Sequence, residues 1–425
     1  MEVVVGRCCG LDVHQASLTA CVLLDEGGRK ARKLVRTFRT MRAELEALRE
    51  WLASLGVTHV TMEGTGVYWK PVYSVLEGYV DLTLVNARHV KQLPGRKTDV
   101  NDAEWLATLL HHGLLRKSFV PAQDIRALRD LTRYRRMLVH SQTTEKNRIL
   151  KLLETMGIKL SAVASDVFGM SGMAMVRGLA NGDLSVDAIV AMARSRLRSK
   201  MPDLRLALDV LVQDHHRLML RDQLARLDRT AHEIARYDAL LVERVAPYQA
   251  QLALLCSIPG IQRTAAIEIF AEIGPNLASF PTAGHFSSWA GTCPGQHESA
   301  GKRSNARRRR GNPYLQSILT ECSLAATRKT DTYLKDKYFR LKARRGAMRA
   351  LFAVAHKLTR AVYRVLMTGE PHQDLGAAYL DRIDTTAVAR RLVARLQRLG
   401  HDHESLRGLF LATPPPIPTE PTPFQ

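Results

Sequence analysis

The sequence predicts an α/β domain of about 120 residues, followed by a chain that is almost entirely helical. Short runs of alternating apolar and polar residues dominate the first part, and strands and helices then alternate. From Pro121 to about Pro247 a helical periodicity replaces them, and residues 251–370 are again helical, with two special loops. At 425 residues, the chain is long enough for two or three domains that each bury a core.

Each N-terminal element follows from a local pattern. Alternation of apolar and polar residues predicts strands, and the segment closed by Gly56 predicts a helix. In chain order the predicted elements are two strands within 3–24, a strand near 32–39, a helix at 41–56, strands at 57–63 and 79–85, and a helix that begins at Thr98 or Asp99.

The α/β domain is expected at 1–120, and a helical spacer at 121–250. Within the spacer, apolar residues recur at alternating steps of four and three from Leu220 to Val245. This repeat fits a helical hairpin within one chain and a dimeric coiled coil equally well. A third domain is expected at 251–370, and residues 371–425 are expected to form a C-terminal helix and a disordered, Pro-rich tail.

The charge of the chain points to a polyanionic partner. Lys and Arg number 62 against 41 acids, a surplus of 21 positive charges, and nucleic acid is the commonest such partner. Residues 301–364 hold 18 cations and three acids, so a net +15 lies in one stretch. The sequence contains no apolar run of 18 residues, no signal peptide and no basic amphipathic anchor, and we therefore expect no membrane partner. Six cysteines without a CxxC pair favour a reducing cytoplasm over a zinc site.

The segment RKTDVNDAEWLA, residues 96–107, places two aspartates three positions apart at the start of a predicted helix. Residues at this spacing share one helical face, and the apolar stripe that begins at Ala103 continues that face. Asp99 as N-cap and Asp102 at the third helical position would be favoured by the helix dipole. Alternatively, both carboxylates bind a metal ion that removes their repulsion.

Two further acids stand near the ends of predicted strands. Asp12 follows an apolar run in the first strand, and Glu63 ends the fourth strand just before a glycine. An acid in an apolar strand is costly unless it is paired or binds a metal. Four acids from three elements could therefore meet at one edge of a sheet. Carboxylate oxygens are the ligands that Mg²⁺ prefers. Two such ions can stabilise the attacking oxygen and the leaving oxygen when a phosphate undergoes an in-line displacement.

The segment 291–316 combines glycines, serines and a dense basic run. Cations beside Ser299 would stabilise charge on a pentacovalent phosphorus, so that this serine could act as a nucleophile. The alternative is a loop serine that bonds its own backbone, beside cations that only bind phosphates. Ser304 is the nearest competing serine, and Ser287 and Ser288 are more remote. The predicted nucleic-acid-binding cations are Lys302, Arg303, Arg307, Arg308, Arg309 and Arg310.

Upstream of this segment, residues 256–274, CSIPGIQRTAAIEIFAEIG, resemble a helix-hairpin-helix. The tight Pro-Gly turn could present backbone N–H groups to a phosphate without reading bases. In this interpretation the helix after the turn has Ala265, Ile269 and Ile273 facing inward. An ordinary helical corner in the core is the alternative.

The order of the acids resembles the ribonuclease-H-like fold of RuvC-type Holliday-junction resolvases. With KTDVNDAEWLA and the basic serine segment, residues 5–370 resemble the DEDD transposases of the "IS one-ten" insertion-sequence family. The resemblance implies that Ser299 forms a covalent bond to DNA, although this chain has Ser-Ala-Gly where many relatives have Ser-Ser-Gly or Ser-Gly. The implied ligands of two Mg²⁺ ions, or of Mn²⁺, are Asp12, Glu63, Asp99 and Asp102.

The resemblance also implies partners and a cellular location. A bacterial, nucleoid-associated recombinase would act on donor and target DNA as a dimer to tetramer, guided by a structured bridge RNA. One rival interpretation is a metal-dependent junction nuclease that hydrolyses DNA with water. The other is a non-catalytic nucleic-acid-binding protein on the same fold, and the complete acid set argues against it.

Overall fold

The computed structural model describes residues 3–25, 31–92, 102–295, 298–299, 301–303, 311–383 and 385–402, without the side chains of 88, 91–92, 298–299 and 302–303. The chain divides into two compact units, Met1–Pro121 and Ala122–Gln425. No helix in the described parts of the chain has both the length and the apolar character that crossing a bilayer requires.

The first unit is a mixed five-stranded sheet with helices on both faces. Its elements are β1 (Arg7–Val13), β2 (Ser17–Leu24), β3 (Arg32–Arg39), α1 (Arg42–Ser54), β4 (His59–Glu63), α2 (Trp69–Leu76), β5 (Asp81–Val85), α3 (Ala87–Gln92) and α4 (Asp102–His111). The strand order is β3-β2-β1-β4-β5. The first three strands pair antiparallel, whereas β1, β4 and β5 run parallel. The predicted α/β arrangement is confirmed, and it is consistent with a ribonuclease-H-like domain.

Different helices cover the two faces of this sheet. Cys9 and Leu11 belong to a core that includes residues of α1 and α2. Cys8 and Gly10 point to the opposite face, because successive strand residues alternate, and there they meet α4. A Cβ built on Gly10 would stand 2.2 Å from the carbonyl oxygen of Ala103, so only glycine allows α4 to lie this close to β1.

The second unit is mostly helical. Its helices are α5 (Gln123–Thr155), α6 (Leu160–Val163), α7 (Met170–Asn181), α8 (Val186–Val190), α9 (Met201–Leu208), α10 (Asp214–Arg244), α11 (Gln249–Cys256), α12 (Arg263–Ile273), α13 (Ala283–Trp289), α14 (Pro313–Ala326), α15 (Tyr333–Arg345), α16 (Ala347–Thr368), α17 (Tyr379–Ile383) and α18 (Thr385–Arg398). The short strands β6 (Glu298–Ser299) and β7 (Lys302–Arg303) form a hairpin between α13 and α14. The predicted helical character of this part is therefore confirmed.

The two long helices α5 and α10 pack against each other within one chain. Leu220, Leu224 and Leu227 of the predicted repeat are buried in a core that also contains Ile149 and Leu152 of α5. The first part of the repeat therefore packs inside the chain, as the hairpin alternative predicts. A dimeric coiled coil stays a prediction, as does the division of residues 122–425 into spacer, third domain and tail.

Candidate functional site

The ends of β1 and β4 bring two of the predicted acids to neighbouring positions. The strands pair in parallel as far as Leu11 and Met62, and Asp12 and Glu63 are the next residue of each strand. Residues aligned in this way point to the same face of a sheet. Because Gly10 faces α4, Asp12 lies on the face that α4 covers, and Glu63 lies beside it.

The helix α4 runs antiparallel to β1. At its C-terminal end, Nδ1 of His111 lies 2.7 Å from the carbonyl oxygen of Val5, just before β1. Near its other end, Ala103 meets Gly10. The N-terminal turn of α4 therefore points toward the end of β1 that carries Asp12, and the positive end of its dipole favours anionic groups there.

The flanks of α4 are assigned by their contacts. On one flank, Glu104 accepts a hydrogen bond of 2.9 Å from Nζ of Lys33 on β3. On the other flank, Leu106 shares a core with Val85 at the end of β5. Asp102 precedes Leu106 by four residues, so it lies on the flank that faces the β4–β5 side of the sheet. Asp102 therefore lies on the flank of α4 that faces β4, the strand that carries Glu63.

Exposure differs among these acids. Asp12 has a side chain that is 28% exposed, and its Oδ2 lies 3.2 Å from Nε2 of His14. Glu63 is half-buried and Asp102 is exposed. We predicted that the aspartates extend the buried stripe of α4. The stripe itself is buried, whereas Asp102 is exposed.

The chemistry of these acids fits a hard cation. Carboxylate oxygens alone suit Mg²⁺ or Mn²⁺ better than zinc, which prefers nitrogen and sulfur. Asp99 lies outside the described residues, and its predicted roles as N-cap and ligand stay predictions. Among the residues that are described, no three His, Cys, Asp or Glu side chains come close enough together to hold a metal ion.

The serine segment contains a short hairpin. In the pairing of β6 with β7, Ser299 lies opposite Lys302 and Glu298 lies opposite Arg303. Gly301 has φ +74°, the left-handed conformation that a tight hairpin turn requires. The backbone of the predicted nucleophile is thus adjacent to that of a predicted phosphate-binding lysine.

Two of the three competing serines, Ser287 and Ser288, lie in the described part of the chain and differ in burial. Ser287 is fully buried and donates to the carbonyl oxygen of Ala283 at 2.7 Å, so it is not accessible to DNA. Ser288 is half-buried. Ser304 and the predicted cations at 307–310 lie outside the described residues, and their roles stay predictions.

The two ends of the serine segment lie side by side. A Cβ built on Gly311 would stand 2.3 Å from the backbone nitrogen of Gly291, so these two glycines are in close backbone contact. The N–H of Asn312 donates to the carbonyl oxygen of Trp289 at 3.1 Å. Nε2 of Gln316 donates to the carbonyl oxygen of Gly291. Gly291 and Gly311, which flank residues 292–310, therefore lie side by side in the helical unit, which sequence reasoning did not predict.

The segment that resembles a helix-hairpin-helix begins at the last residue of α11 and forms a tight turn and α12. Gly260 has φ +88° and packs against the backbone of α14, where a Cβ would stand 2.4 Å from the carbonyl oxygen of Cys322. Ile269 and Ile273 are buried, as predicted, whereas Ala265 is only half-buried. The other side of the turn borders a cavity of about 1040 Å³. The turn is thus a packed corner, and its predicted contact with phosphate stays a prediction.

Comparison with known protein families gives two matches. A model described as a transposase, of the DEDD type of IS110, matches residues 9–158. A second model, described as the transposase IS116/IS110/IS902 family, matches residues 252–339. Together they cover more than half of the chain. No curated protein matches it.

The first match contains all four predicted acids, and the second contains Ser299. Both models describe transposases of the same family, and the order of the two matched regions follows the order of the acids and the serine in the sequence. The chain therefore belongs to the IS110 family of transposases, and it is an enzyme that recombines DNA.

Proposed function

We propose that this transposase cuts and rejoins DNA through a covalent phosphoserine intermediate at Ser299, with a divalent cation bound by its acidic residues. The observation that carries the proposal is the arrangement of Asp12, Glu63 and Asp102. These acids come from three elements and share one face and one end of the sheet, where a bound cation would offset the repulsion among their negative charges.

The acids have a single role in this proposal. Asp12, Glu63 and Asp102, together with Asp99, would hold Mg²⁺ or Mn²⁺. When bound, the cation would neutralise negative charge that develops on the scissile phosphate. The dipole of α4 adds a smaller positive potential at the same end of the sheet.

Ser299 performs the covalent step. Its Oγ attacks the phosphorus of a scissile phosphodiester, so that an O–P bond forms to the serine while the P–O bond to the leaving strand breaks. The serine proton passes to solvent, and the leaving oxygen takes up a proton to become a free hydroxyl. A hydroxyl from another DNA end then attacks the phosphoserine, so that a P–O bond to this end forms while the O–P bond to the serine breaks. The hydroxyl proton passes to solvent, and Oγ of Ser299 takes up a proton. The number of phosphoester bonds is unchanged, so rejoining needs no ATP.

The proposal includes an oligomer and a guide RNA. The acids belong to the first compact unit and Ser299 to the second. A site built from two chains, in an assembly from dimer to tetramer, would bring both sets to the same phosphate. The surplus of 21 positive charges suits a protein that binds a structured bridge RNA as well as donor and target DNA.

Single substitutions test the two chemical roles separately. The probe is a labelled duplex that carries the ends of the insertion sequence, incubated with the full-length protein, the RNA that co-purifies with it, and Mg²⁺. Ser299→Ala should abolish the protein–DNA adduct and all strand exchange. Asp12→Asn and Asp102→Asn should each lower strand exchange by at least roughly 10³-fold, because both act in the chemical step.

Glu104→Gln is the matched control on the same helix, since Glu104 lies on the opposite flank and bonds Lys33. It should retain wild-type strand exchange. If Ser299→Ala still forms an adduct, the serine assignment is wrong. If that variant forms no adduct and still cuts DNA, the enzyme is a metal-dependent nuclease that uses water. Undiminished exchange in Asp12→Asn would reject the metal-binding role.

The guide RNA has its own test. RNA that co-purifies with the full-length protein from cells carrying the insertion sequence should be sequenced. Reads that map to a noncoding end of the element are expected. Strand exchange that proceeds at full rate after nuclease removal of all RNA would contradict the proposal.

A further inference from the structure

Glu272 is a buried carboxylate at the centre of an arginine cluster. It is 1% exposed. Arg133 of α5 forms two hydrogen bonds of 2.8 Å with its two oxygens. Nε of Arg129 lies 3.4 Å from Oε2. A buried carboxylate is costly unless it is paired, and these arginines pair with Glu272 and fix the orientation of its side chain.

One further donor reaches the same carboxylate. Nδ2 of Asn312 donates to Oε2 of Glu272 at 2.6 Å. Oδ1 of Asn312 accepts from the N–H groups of Tyr314 and Leu315, at 3.0 and 3.1 Å, and thereby caps α14. The backbone N–H of Asn312 donates to Trp289 at the end of α13. Asn312 therefore joins α12, α13 and α14.

Asn312 lies at the C-terminal end of the serine segment, next to Gly311. Gly311 is in close backbone contact with Gly291. The two glycines that flank residues 292–310 thus lie next to the residue that Glu272 orients. A shift of Asn312 would therefore disturb the contact between Gly311 and Gly291.

We propose that Glu272 and Asn312 are positioning residues for the serine segment, which they hold in register with α5 through Arg133. The inference rests on the proposed role of Ser299 as the nucleophile. Neither residue needs to contact DNA. Their effect is on the placement of the reacting oxygen, and a misplacement of about 1 Å can lower a rate by about 10²-fold.

The chain offers a matched control one helical turn away. Glu268 lies four residues before Glu272 on α12, is also buried, and accepts a hydrogen bond of 2.8 Å from Arg136 of α5. Its ion pairs are with Arg135 and Arg136 of α5, and in the described part of the chain it makes no hydrogen bond with Asn312. Glu268→Gln therefore removes a similar ion pair without touching the ends of the serine segment.

The decisive variant is Asn312→Asp. The aspartate keeps the oxygen that caps α14, but it places a second carboxylate against Glu272. We expect the first-order rate of adduct formation at saturating DNA to fall by about 10- to 100-fold, with the DNA dissociation constant changed less than about threefold. The probe is the same labelled duplex, with the full-length protein and its co-purified RNA.

A reciprocal exchange then tests the bond itself. In Glu272→Gln combined with Asn312→Asp, the glutamine amide can donate to the aspartate, and the cluster keeps one carboxylate for the arginines. We expect the double variant to regain most of the lost rate. If it regains none, or if Glu268→Gln lowers the rate equally at a similar loss of thermal stability, the residues act only through overall stability and the proposal is wrong.

A measurement that does not depend on the reaction with DNA tests the positioning role independently of the role of Ser299. Hydrogen exchange at the amide of Asn312, which bonds Trp289, should be faster in Asn312→Asp than in wild type. It should be unchanged in Ser299→Ala. Unchanged exchange in Asn312→Asp overturns the positioning role, whether or not Ser299 proves to be the nucleophile.

Discussion

Gly10 of β1 and Ala103 of α4 are in direct backbone contact, with room for no side chain at residue 10. This contact sets the distance between the sheet and the helix that carries Asp102. It also joins residues that are more than ninety positions apart in the chain. The proposed acidic site therefore depends on a glycine that has no chemical role of its own.

Replacing Gly10 with alanine should displace α4. The added Cβ would stand 2.2 Å from the oxygen of Ala103 and 2.4 Å from the nitrogen of Ala107, and neither backbone atom can rotate away. We expect the free energy of unfolding to fall by about 2–3 kcal/mol in urea titrations. Gly6→Ala is the control, since its Cβ would meet only an ordinary contact of 3.8 Å. Equal stability of Gly10→Ala and wild type would contradict the packing described here.

Leu227→Ala should destabilise the folded chain itself. Leu227 is buried where α10 packs on α5, so its truncation leaves a cavity within one protomer. A loss of about 2–5 kcal/mol is expected, with an unfolding midpoint that does not depend on protein concentration. Leu218→Ala on the exposed side of α10 should change little. If the unfolding midpoint depends strongly on protein concentration in Leu227→Ala but not in Leu218→Ala, a dimeric coiled coil at this position would be favoured.

The cysteines should differ sharply in reactivity. Burial raises the pKa of Cys8 and of Cys322 to about 12, and the thiolate is the reactive form. Cys256 is exposed, although partial burial raises the pKa of its thiol as well. Iodoacetamide at pH 8, followed by mass spectrometry, should modify Cys256 well before Cys8 or Cys322. Equal rates at all three positions would show that the two cores open readily.

Lowering the pH from 7.5 to 5.5 should destabilise the second unit through two histidines, at a pH above the range in which carboxylates normally titrate. Burial, with nearby Arg360 and Lys357, lowers the pKa of His356 below 6.5, and burial lowers the pKa of His372 likewise. A lowered folded-state pKa contributes stability that is present above pH 6.5 and is lost as the pH falls through the folded value. The Tm should therefore fall between pH 7.5 and pH 5.5, and less steeply in His356→Gln. An identical slope in that variant would contradict the role of His356.

Local pattern was sufficient for most elements of the first unit, although not for α2 and α3, and for the family. Alternation predicted β3 close to its observed bounds, Gly56 marked the end of α1, and the spacing of Asp99 and Asp102 identified the motif. These features succeed because period, capping and turn preference are properties of a few consecutive residues. The concentration of cations at 301–364 is likewise visible without any structure.

Only the tertiary structure showed which element packs against the apolar face of each helix or strand. Periodicity showed that Leu220, Leu224 and Leu227 form a stripe, but only packing showed that α5 of the same chain covers part of it. Nothing in the pattern around Glu272 or Asn312 indicated that they bond each other, because a buried glutamate resembles a surface one in sequence.

The chain thus determines by itself which elements form, where its positive charge lies and which family it belongs to. The direction in which α4 turns Asp102, and the meeting of the two ends of the serine segment, were decided only by the folded structure. The physical reason is that local sequence sets which side of an element is apolar. The partner of that side is chosen by packing among residues far apart in the chain.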